Sequence, residues 1–352
     1  MTLNFKDLLK HANNAFNQKR AFVLYRKPYE TTIYSQFQLS DNQNYNSDIK
    51  TSGFVFAPFY SSQKKFFFDS SNAECFESTF EELNFLNTNQ FKITDVPQLK
   101  NQHIQTVKKA VNAIKQQEFD KLVISRKEEL TASVFELELT FFMLLKKYPT
   151  AMVYCWYHPQ VGIWMGATPE LLCKITGNQF TTMALAGTQL AVQKSDVQWT
   201  QKEINEQQLV TDFITETIQP EIRVIKISEP ETVQAGNLWH IKTTITGEIS
   251  QHSDMEKLIS KLHPTPAVCG LPKEKAFKFI VENENYNREF YTGYLGIIKN
   301  KEIELFVNLR CMKIENEIIS IFVGGGITAA SVPEKEWDET VAKAHTMKNV
   351  LF

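Results

Sequence analysis

The sequence predicts a mixed α and β fold, because short runs of strand periodicity alternate with longer helical runs along its 352 residues. A strand pattern covers 121–126, where Lys121 faces away from Leu122 and Ile124. A helical pattern covers 98–117. No repeat or linker-like stretch interrupts the chain, so we expect a single domain over 1–352.

In chain order, the first ninety-odd residues contain strand-like runs such as 52–60 and the segment Phe66-Phe67-Phe68. We interpret these phenylalanines as strand and core residues rather than as a binding patch. The following elements are predicted in order: helix 98–117, strand 121–126, helix 135–147, strand 151–157 and strand 162–165.

The composition is that of an ordinary globular chain, with 43% hydrophobic residues, 22% charged residues and a formal net charge of -2. This charge gives no reason to expect nucleic acid or an anionic membrane as a partner. No apolar stretch is long enough to span a bilayer, and the first residues lack a secretory apolar core. The five cysteines show neither metal-ligand spacing nor a disulfide framework. We therefore expect a cytoplasmic protein.

Near the C-terminus, an apolar run over 318–323 leads into Gly324-Gly325-Gly326. Backbone amides of consecutive glycines can approach an anion without obstruction from side chains. Ser331 precedes Glu334 by three residues, the spacing of a capping box, and Pro333 suits the first turn of a helix. We expect a glycine turn followed by a helix whose N-terminus attracts negative charge.

Two pairs of glutamates, each three residues apart, lie near predicted helix starts. Glu336 and Glu339 belong to the C-terminal helix, and Glu203 and Glu206 to a second helix. Residues at this spacing share a helical face, so each pair could help to hold a hard cation. Magnesium suits such a site because it usually takes only one or two carboxylates directly and keeps several waters.

From about residue 101 onward the chain resembles the chorismate-utilising enzymes, the family of isochorismate, salicylate, anthranilate and aminodeoxychorismate synthases. The matching blocks follow the family's order: 119–126, 166–172, 185–188, 202–206, 238–243, 263–270, 288–293, 309–311 and 324–343. The resemblance implies an α+β fold of stacked, mainly antiparallel β-sheets flanked by helices, with the active site in the cleft between them. It makes 1–96 an N-terminal portion without catalytic motifs and 97–352 the motif-bearing catalytic portion.

Carried over residue by residue, the resemblance implies an acid and a base. Lys121 matches the general base that activates water, and Glu170 matches the general acid that protonates the departing hydroxyl. Burial lowers the pKa of an ammonium, so a partly buried lysine can act as a base near neutrality. Thr168-Pro169 fixes an extended or turn geometry that would aim the Glu170 carboxyl.

The resemblance also implies a metal cofactor and an anion site. Glu206 and Glu339 match direct Mg²⁺ ligands, while Glu203 and Glu336 match carboxylates that support the ion or its waters. Arg310, which we expect on a strand, matches the arginine that binds the side-chain carboxylate of the substrate, chorismate. The other matches complete the substrate pocket: Ala186, Gly187, Thr188, His240, Lys343 and the amides around Gly325 and Gly326.

Local chemistry alone offers a structural explanation for several of these residues. Glu170 could simply begin a helix after Pro169, and His240 could be a core histidine with satisfied hydrogen bonds. Charged residues allow three further alternatives: a surface pair of Lys202 with Glu206, a helical pair of Glu339 with Lys343, and a Lys121 side chain that extends from a sheet edge to solvent.

Within the family, the chain looks most like isochorismate synthases. Ala186 stands where aminodeoxychorismate synthases carry a nucleophilic lysine, and Cys269 and Arg288-Glu289 resemble isochorismate synthases. Gln207 and Ala184 depart from the His and Pro that are common in the family. The implied reaction is a Mg²⁺-dependent isomerisation, in which water adds at carbon two of chorismate and the carbon-four hydroxyl leaves.

The product of that reaction would serve menaquinone or siderophore biosynthesis. Salicylate synthase, which goes on to eliminate pyruvate, is the alternative, and anthranilate synthase component I or a catalytically silent relative fits less well. Because water is the nucleophile, we expect no obligatory amidotransferase subunit. The glycine run matches neither dinucleotide nor phosphate-loop spacing, so no nucleotide cofactor is expected.

Overall fold

The computed structural model describes residues 1–39, 51–86, 89–93, 97–190, 193–236, 238–250, 253–300 and 302–352. Within these ranges the chain forms seven α-helices: α1 Phe5–Asn17, α2 Pro97–Lys115, α3 Leu137–Lys147, α4 Gln201–Ile218, α5 Met255–Leu262, α6 Lys273–Asn283 and α7 Pro333–Leu351.

The same ranges contain nineteen β-strands. They are β1 Phe22–Arg26, β2 Thr32–Gln38, β3 Gly53–Ala57, β4 Phe66–Asp69, β5 Ala73–Thr79, β6 Gln90–Ile93, β7 Lys121–Val134, β8 Met152–His158, β9 Gly162–Thr168, β10 Leu171–Thr176, β11 Gln179–Gln189, β12 Ile222–Ile227, β13 Glu231–Ala235, β14 Leu238–Ile249, β15 Gly270–Leu271, β16 Tyr294–Lys299, β17 Glu302–Val307, β18 Cys311–Glu315 and β19 Ile318–Ile327.

These strands form two sheets. The first has ten strands in the order β15-β7-β19-β18-β9-β8-β1-β2-β5, with β6 also paired to β7. The second has nine strands in the order β12-β14-β11-β10-β17-β16-β3-β4, with β13 also paired to β14. Every pairing between named strands in the described residues is antiparallel. The predicted fold class is therefore confirmed, and strands from 1–96 belong to both sheets.

Helices cover the outer faces of the sheets, and aromatic side chains fill the space between them. Helices α1, α3 and α7 pack on the first sheet, and α4 and α5 pack on the second. Between the sheets, the rings of Phe56 and Phe290 stack with centroids 4.4 Å apart, next to Trp156 and Trp164. Phe66 and Phe68 join this cluster, which confirms their prediction as core residues. No helix in the described residues is long and apolar enough to cross a membrane.

Most predicted elements are present with shifted ends, but two expectations about the C-terminal segment are wrong. The three glycines are not a turn, because they continue β19 and pair with 123–125 of β7. Helix α7 does begin at Pro333, yet its N-cap is Val332, without a side-chain capping bond. The Ser331 hydroxyl instead accepts a hydrogen bond of 3.0 Å from the backbone N–H of Thr328.

Two short links carry the chain from one sheet to the other. Residues 169–170 join β9 to β10, and residues 308–310 join β17 to β18. The links lie side by side, because the N–H of Val307 donates to Glu170 O at 2.9 Å and the N–H of Ala167 donates to Arg310 O at 3.0 Å. Together they close one side of a cleft between the sheets.

The position of Arg310 corrects a further expectation. We predicted it on a strand, but β17 ends at Val307 and β18 begins at Cys311. Arg310 lies in the link between them with a φ of 46°, in the left-handed region. A residue in this conformation interrupts the extended backbone, so the apolar run before it could not continue as one strand.

Candidate active site

The cleft between the sheets brings together most of the residues singled out from the sequence. The following predicted site residues line it: Glu170, Ala186, Gly187, Thr188, Glu206, His240, Arg310, Gly325, Gly326, Glu339 and Lys343. Three others, Lys121, Glu203 and Glu336, are not part of its lining and lie next to residues that are.

Glu170 reaches the cleft from the link between β9 and β10. Its side chain is buried, with 4% of the residue exposed. Burial raises the pKa of Glu170 to about 8, and the nearby cations Lys121 and Lys343 only partly oppose this shift. Strand β10 starts directly after it at Leu171, so the helix-start alternative is wrong. At neutral pH this carboxyl holds its proton, as a general acid must.

Lys121 lies behind the cleft at the first position of β7. It is 0% exposed, so the alternative of a side chain reaching solvent is wrong. Its Nζ lies 2.9 Å from Glu206 Oε1 on α4. Leu122 and Ile124 point the other way, into the core beneath α2 and α6, as the predicted alternation requires.

The carboxylate of Glu206 is held in its charged form by several lysines. Burial alone would raise its pKa, but Lys121, Lys202 and Lys343 outweigh burial and the net pKa is lowered. Glu206 is 8% exposed. A buried carboxylate of this kind is tolerated because an ammonium compensates it.

Each carboxylate of the pair on α7 also contacts a lysine. Lys202 Nζ lies 2.7 Å from Glu336 Oε1, so the alternative of a surface pair between Lys202 and Glu206 is wrong. Lys343 Nζ lies 2.7 Å from Glu339 Oε1, so this helical pair does form. Burial and the neighbouring Glu339 raise the pKa of Glu336, against the effect of Lys202.

Glu203 has a different local role in this structure. Its carboxylate accepts hydrogen bonds from the N–H and hydroxyl of Thr200, which form a capping box at the start of α4. The buried face of α4 instead includes Gln207, whose amide donates to Thr211 and Thr243. Support of a metal by Glu203 stays a prediction.

The glycines of β19 are required by the carboxylates that approach them. A Cβ on Gly326 would lie 2.1 Å from Glu206 Oε1, and one on Gly325 would lie 3.3 Å from Glu339 Oε1. The Lys343 ammonium donates to Gly324 O at 2.9 Å. Glycine is therefore needed here for the close approach of side chains from α4 and α7.

The carboxylates around these glycines suit a hard cation. Among the described residues, no group of three or more His, Cys, Asp and Glu side chains is arranged to hold a metal ion. Glu206 and Glu339 nevertheless both approach the Gly325-Gly326 backbone, and Mg²⁺ usually takes only one or two carboxylates directly. The oxygen donors fit this ion, and Mg²⁺ binding stays a prediction.

Arg310 and His240 form another part of the cleft lining, where Arg310 supplies a guanidinium group. Arg310 Nη1 donates to Thr346 Oγ1 at 3.0 Å, and Nη2 lies 3.3 Å from His240 Nε2. His240 Nδ1 lies 2.9 Å from Gly187 O. Because the carbonyl can only accept and the guanidinium can only donate, Nδ1 carries the proton and Nε2 accepts.

The charge states of these two residues favour an anionic ligand. Burial, Arg310 and Lys343 lower the pKa of His240 to about 3, so the imidazole is neutral. Burial also lowers the pKa of Arg310, and no carboxylate of the described residues forms an ion pair with it. His240 is therefore more than a core histidine, since it orients a guanidinium that faces the cleft.

Sequence reasoning gave no role to several residues of the lining. They are Val123, Leu185, Ala267, Val268, Tyr291, Thr292, Leu309, Phe322 and Val323. A signal for some of them existed, because Ala267 and Val268 lie in the matching block 263–270 and Tyr291 and Thr292 in the block 288–293.

Comparisons with known proteins show the family of this chain. A family model described as chorismate binding enzyme matches residues 61–352. Isochorismate synthase EntC of Escherichia coli is 30% identical over 247 residues, which cover 66% of this chain and 62% of EntC. The match thus spans less than two thirds of that relative's own length.

Two solved structures share the fold. The 2,3-dihydroxybenzoate-specific isochorismate synthase DhbC from Bacillus anthracis superposes with a TM-score of 0.83 at 23% identity, covering 98% of this chain and 99% of that chain. MenF, the menaquinone-specific isochorismate synthase from Escherichia coli, superposes with a TM-score of 0.80 at 19% identity, covering 94% of this chain and 89% of that chain.

Proposed function

This chain belongs to the family of chorismate-binding enzymes, and from that premise we propose that it is an isochorismate synthase. The observation that carries the proposal is Glu170, a buried carboxyl with a pKa raised to about 8. It lies in a cleft that Glu206 also lines, and Lys121 contacts Glu206 from behind that cleft. An acid that is protonated at neutral pH and an amine beside the same cleft are the two groups that this isomerisation needs.

Lys121 and Glu170 divide the proton transfers between them. As the general base, Lys121 Nζ takes a proton from a water that attacks carbon two of chorismate. Glu170 gives its proton to the carbon-four hydroxyl, which leaves as water while the ring double bond shifts. The atoms balance, because one water enters and one leaves, and the product isochorismate is an isomer of the substrate.

The rest of the cleft would hold the substrate by its carboxylates. The Arg310 guanidinium, oriented by His240 and Thr346, offers a planar fork for the side-chain carboxylate. Gly187 leaves room between β11 and α4, since a Cβ there would lie 3.0 Å from Glu203 Cβ. These contacts fix the ring between acid and base, and such positioning is itself a large part of catalysis.

Glu206 and Glu339 would hold Mg²⁺ directly, with Glu336 supporting them. Bound there, the ion would supply positive charge for the ring carboxylate of the substrate. The lysines that neutralise these carboxylates must then share them with the ion.

Proton NMR of the purified protein with chorismate, with and without Mg²⁺, tests the proposal. We expect Mg²⁺-dependent isochorismate that approaches a stable mixture with chorismate. Salicylate and pyruvate would instead identify a salicylate synthase, and anthranilate formed with ammonia would identify the amine-transferring reaction. Unchanged chorismate under all these conditions, with tight binding, would overturn the proposal in favour of a silent relative.

We further propose that the product feeds menaquinone or siderophore biosynthesis in the cytoplasm, without an amidotransferase subunit. Of the two solved structures that share the fold, one is named as 2,3-dihydroxybenzoate-specific and the other as menaquinone-specific. Tracing labelled product in a strain that lacks this protein would separate the two routes.

A further inference from the structure

A second cavity lies at the edge of the first sheet, outside the chorismate cleft. Strand β15 pairs with β7 at 121–122, and β6 pairs with it at 130–134. Between them, in the described residues, this edge of β7 has no neighbouring strand, and a cavity of about 300 Å³ lies there beneath α2. We call it the edge cavity. Its volume is at the lower end of the range for small-molecule sites.

Two buried side chains in the edge cavity have unused hydrogen-bonding groups. Arg126 is 5% exposed, and its Nη2 has no partner among the described residues. His103 on α2 is 4% exposed, and neither ring nitrogen has a partner there. Burial and Arg126 lower the pKa of His103 to about 4, so its neutral ring offers one N–H and one acceptor. Buried polar groups of this kind normally have partners.

The acidic groups around the edge cavity are already matched by cations. Glu284 is bound by Arg288 at 2.6 Å and by the N–H of Ser125 at 2.7 Å. Glu129 pairs with Lys127 at 2.7 Å. Glu128, which pairs with Arg126 Nη1 at 3.1 Å, also pairs with Lys348. The free edge of the Arg126 guanidinium is therefore available to an anion.

The geometry points to a binding site for a small monocarboxylate with an apolar body. Its oxygens would accept from Arg126 Nη2 and from one His103 N–H, and its body would contact Leu99, Leu130 and Ile318. One guanidinium edge and a neutral imidazole match a single negative charge. A doubly charged phosphate would leave uncompensated charge in a buried place, which is unfavourable.

Arg126 also connects the edge cavity to the helix that carries two predicted metal carboxylates. Its Nε donates to Thr340 Oγ1 at 2.8 Å, and its guanidinium carbon lies 4.3 Å from the centre of the Trp337 ring. Trp337 and Thr340 directly follow Glu336 and Glu339 on α7. A carboxylate that engages Arg126 therefore acts on α7, and the edge cavity is an effector site.

Titration calorimetry with phenylacetate, and with neutral phenylacetamide as a control, tests the site. We expect phenylacetate to bind at least about tenfold more tightly than phenylacetamide, a difference in binding free energy of about 1.4 kcal/mol. His103→Leu removes both ring nitrogens, and Thr106→Phe fills the cavity from α2. Each of these variants should weaken the binding of phenylacetate to a similar extent. Equal binding of the two probes, or no binding of phenylacetate, would overturn the proposal.

A cleft variant separates this site from the chorismate cleft. The Arg310→Met variant should still bind phenylacetate. If Arg310→Met loses this binding while His103→Leu retains it, the probe binds in the cleft and the proposal is overturned. Hydrogen exchange of 333–351 should slow when phenylacetate binds, and binding without any change on α7 would overturn the effector role. None of these readouts requires turnover of chorismate, so they succeed or fail independently of the proposed function.

Discussion

Glu170 and Glu206 line one cleft from different elements, and both are almost completely buried, with 4% and 8% exposed. The pKa of Glu170 is raised to about 8, whereas the pKa of Glu206 is lowered. The difference lies in their neighbours: Glu206 has Lys121 at 2.9 Å, while no cation of the described residues forms an ion pair with Glu170. The positions of the lysines, rather than the degree of burial, decide which of the two carboxyl groups keeps its proton.

The two sides of the cleft also differ in how their backbone is built. The Glu170 side is a two-residue link held by backbone hydrogen bonds to β17. The other side is formed by α4 and α7, whose carboxylates depend on lysines elsewhere in the chain. One side therefore carries a carboxyl group on a short link, and the other carries carboxylates that are paired with lysines.

The largest effect should come from removing the proton of Glu170. Glu170→Gln keeps size and burial but has no acidic proton, so turnover of chorismate should fall by about 10² to 10⁴. Product formation followed by NMR measures it, and an unchanged circular dichroism spectrum is the control. Turnover near that of the wild type would remove Glu170 from the acid role.

Breaking the charge pair on the other side should affect stability as well as turnover. Lys121→Met leaves Glu206 buried without its nearest cation, which should lower the free energy of unfolding by about 3–5 kcal/mol. Urea unfolding measures this change. The double variant Lys121→Met with Glu206→Gln should recover most of the stability but no activity. If the single variant is as stable as the wild type, the pair does not stabilise Glu206.

The raised pKa of Glu170 predicts a pH-dependent stability. Because the folded protein binds this proton more tightly than the unfolded chain, the contribution of Glu170 is complete below pH of about 4 and is lost as pH rises through about 8. Relative to Glu170→Gln, the wild type should lose on the order of 3 kcal/mol of unfolding free energy between pH of about 5 and 8. Parallel urea titrations at both pH values check this, and a constant difference would contradict it.

The smallest effect is expected for Glu203→Ala, which tests whether the two glutamates of α4 have different roles. Glu203→Ala removes the capping box, so it should lower the free energy of unfolding by about 1 kcal/mol. It should change the Mg²⁺ dependence of turnover less than Glu206→Gln does. A Mg²⁺ titration of both variants is the measurement. An unchanged titration in Glu206→Gln would count against its role as a direct ligand.

The sequence was sufficient for the elements whose signal is local. Pro333 marked the start of α7, and the alternation around Lys121 placed this side chain opposite Leu122 and Ile124. The fold class and most of the cleft lining followed from the resemblance, because its motif blocks converge at the links and at β19.

What the sequence did not provide depends on contacts between distant residues. The partner of Lys202 is Glu336, 134 residues away, whereas spacing along α4 favoured Glu206. The glycine run continues β19 because β7 pairs with it, and carboxylates occupy the space that larger side chains would need at these positions. Arg310 leaves its strand because the chain must change sheets at that point. None of these causes can be recognised from a short stretch of the sequence.

The side-by-side links also set what the cleft can accept. Glu170 and Arg310 lie on backbone segments joined through the bonds of Val307 and Ala167, without a flexible loop between them. The main-chain hydrogen bonds thus fix the spacing of the two backbone positions that carry Glu170 and Arg310. If the chain has the proposed function, we expect a cyclic acid whose hydroxyl stands at another ring position relative to its side-chain carboxylate to bind in this cleft without reacting.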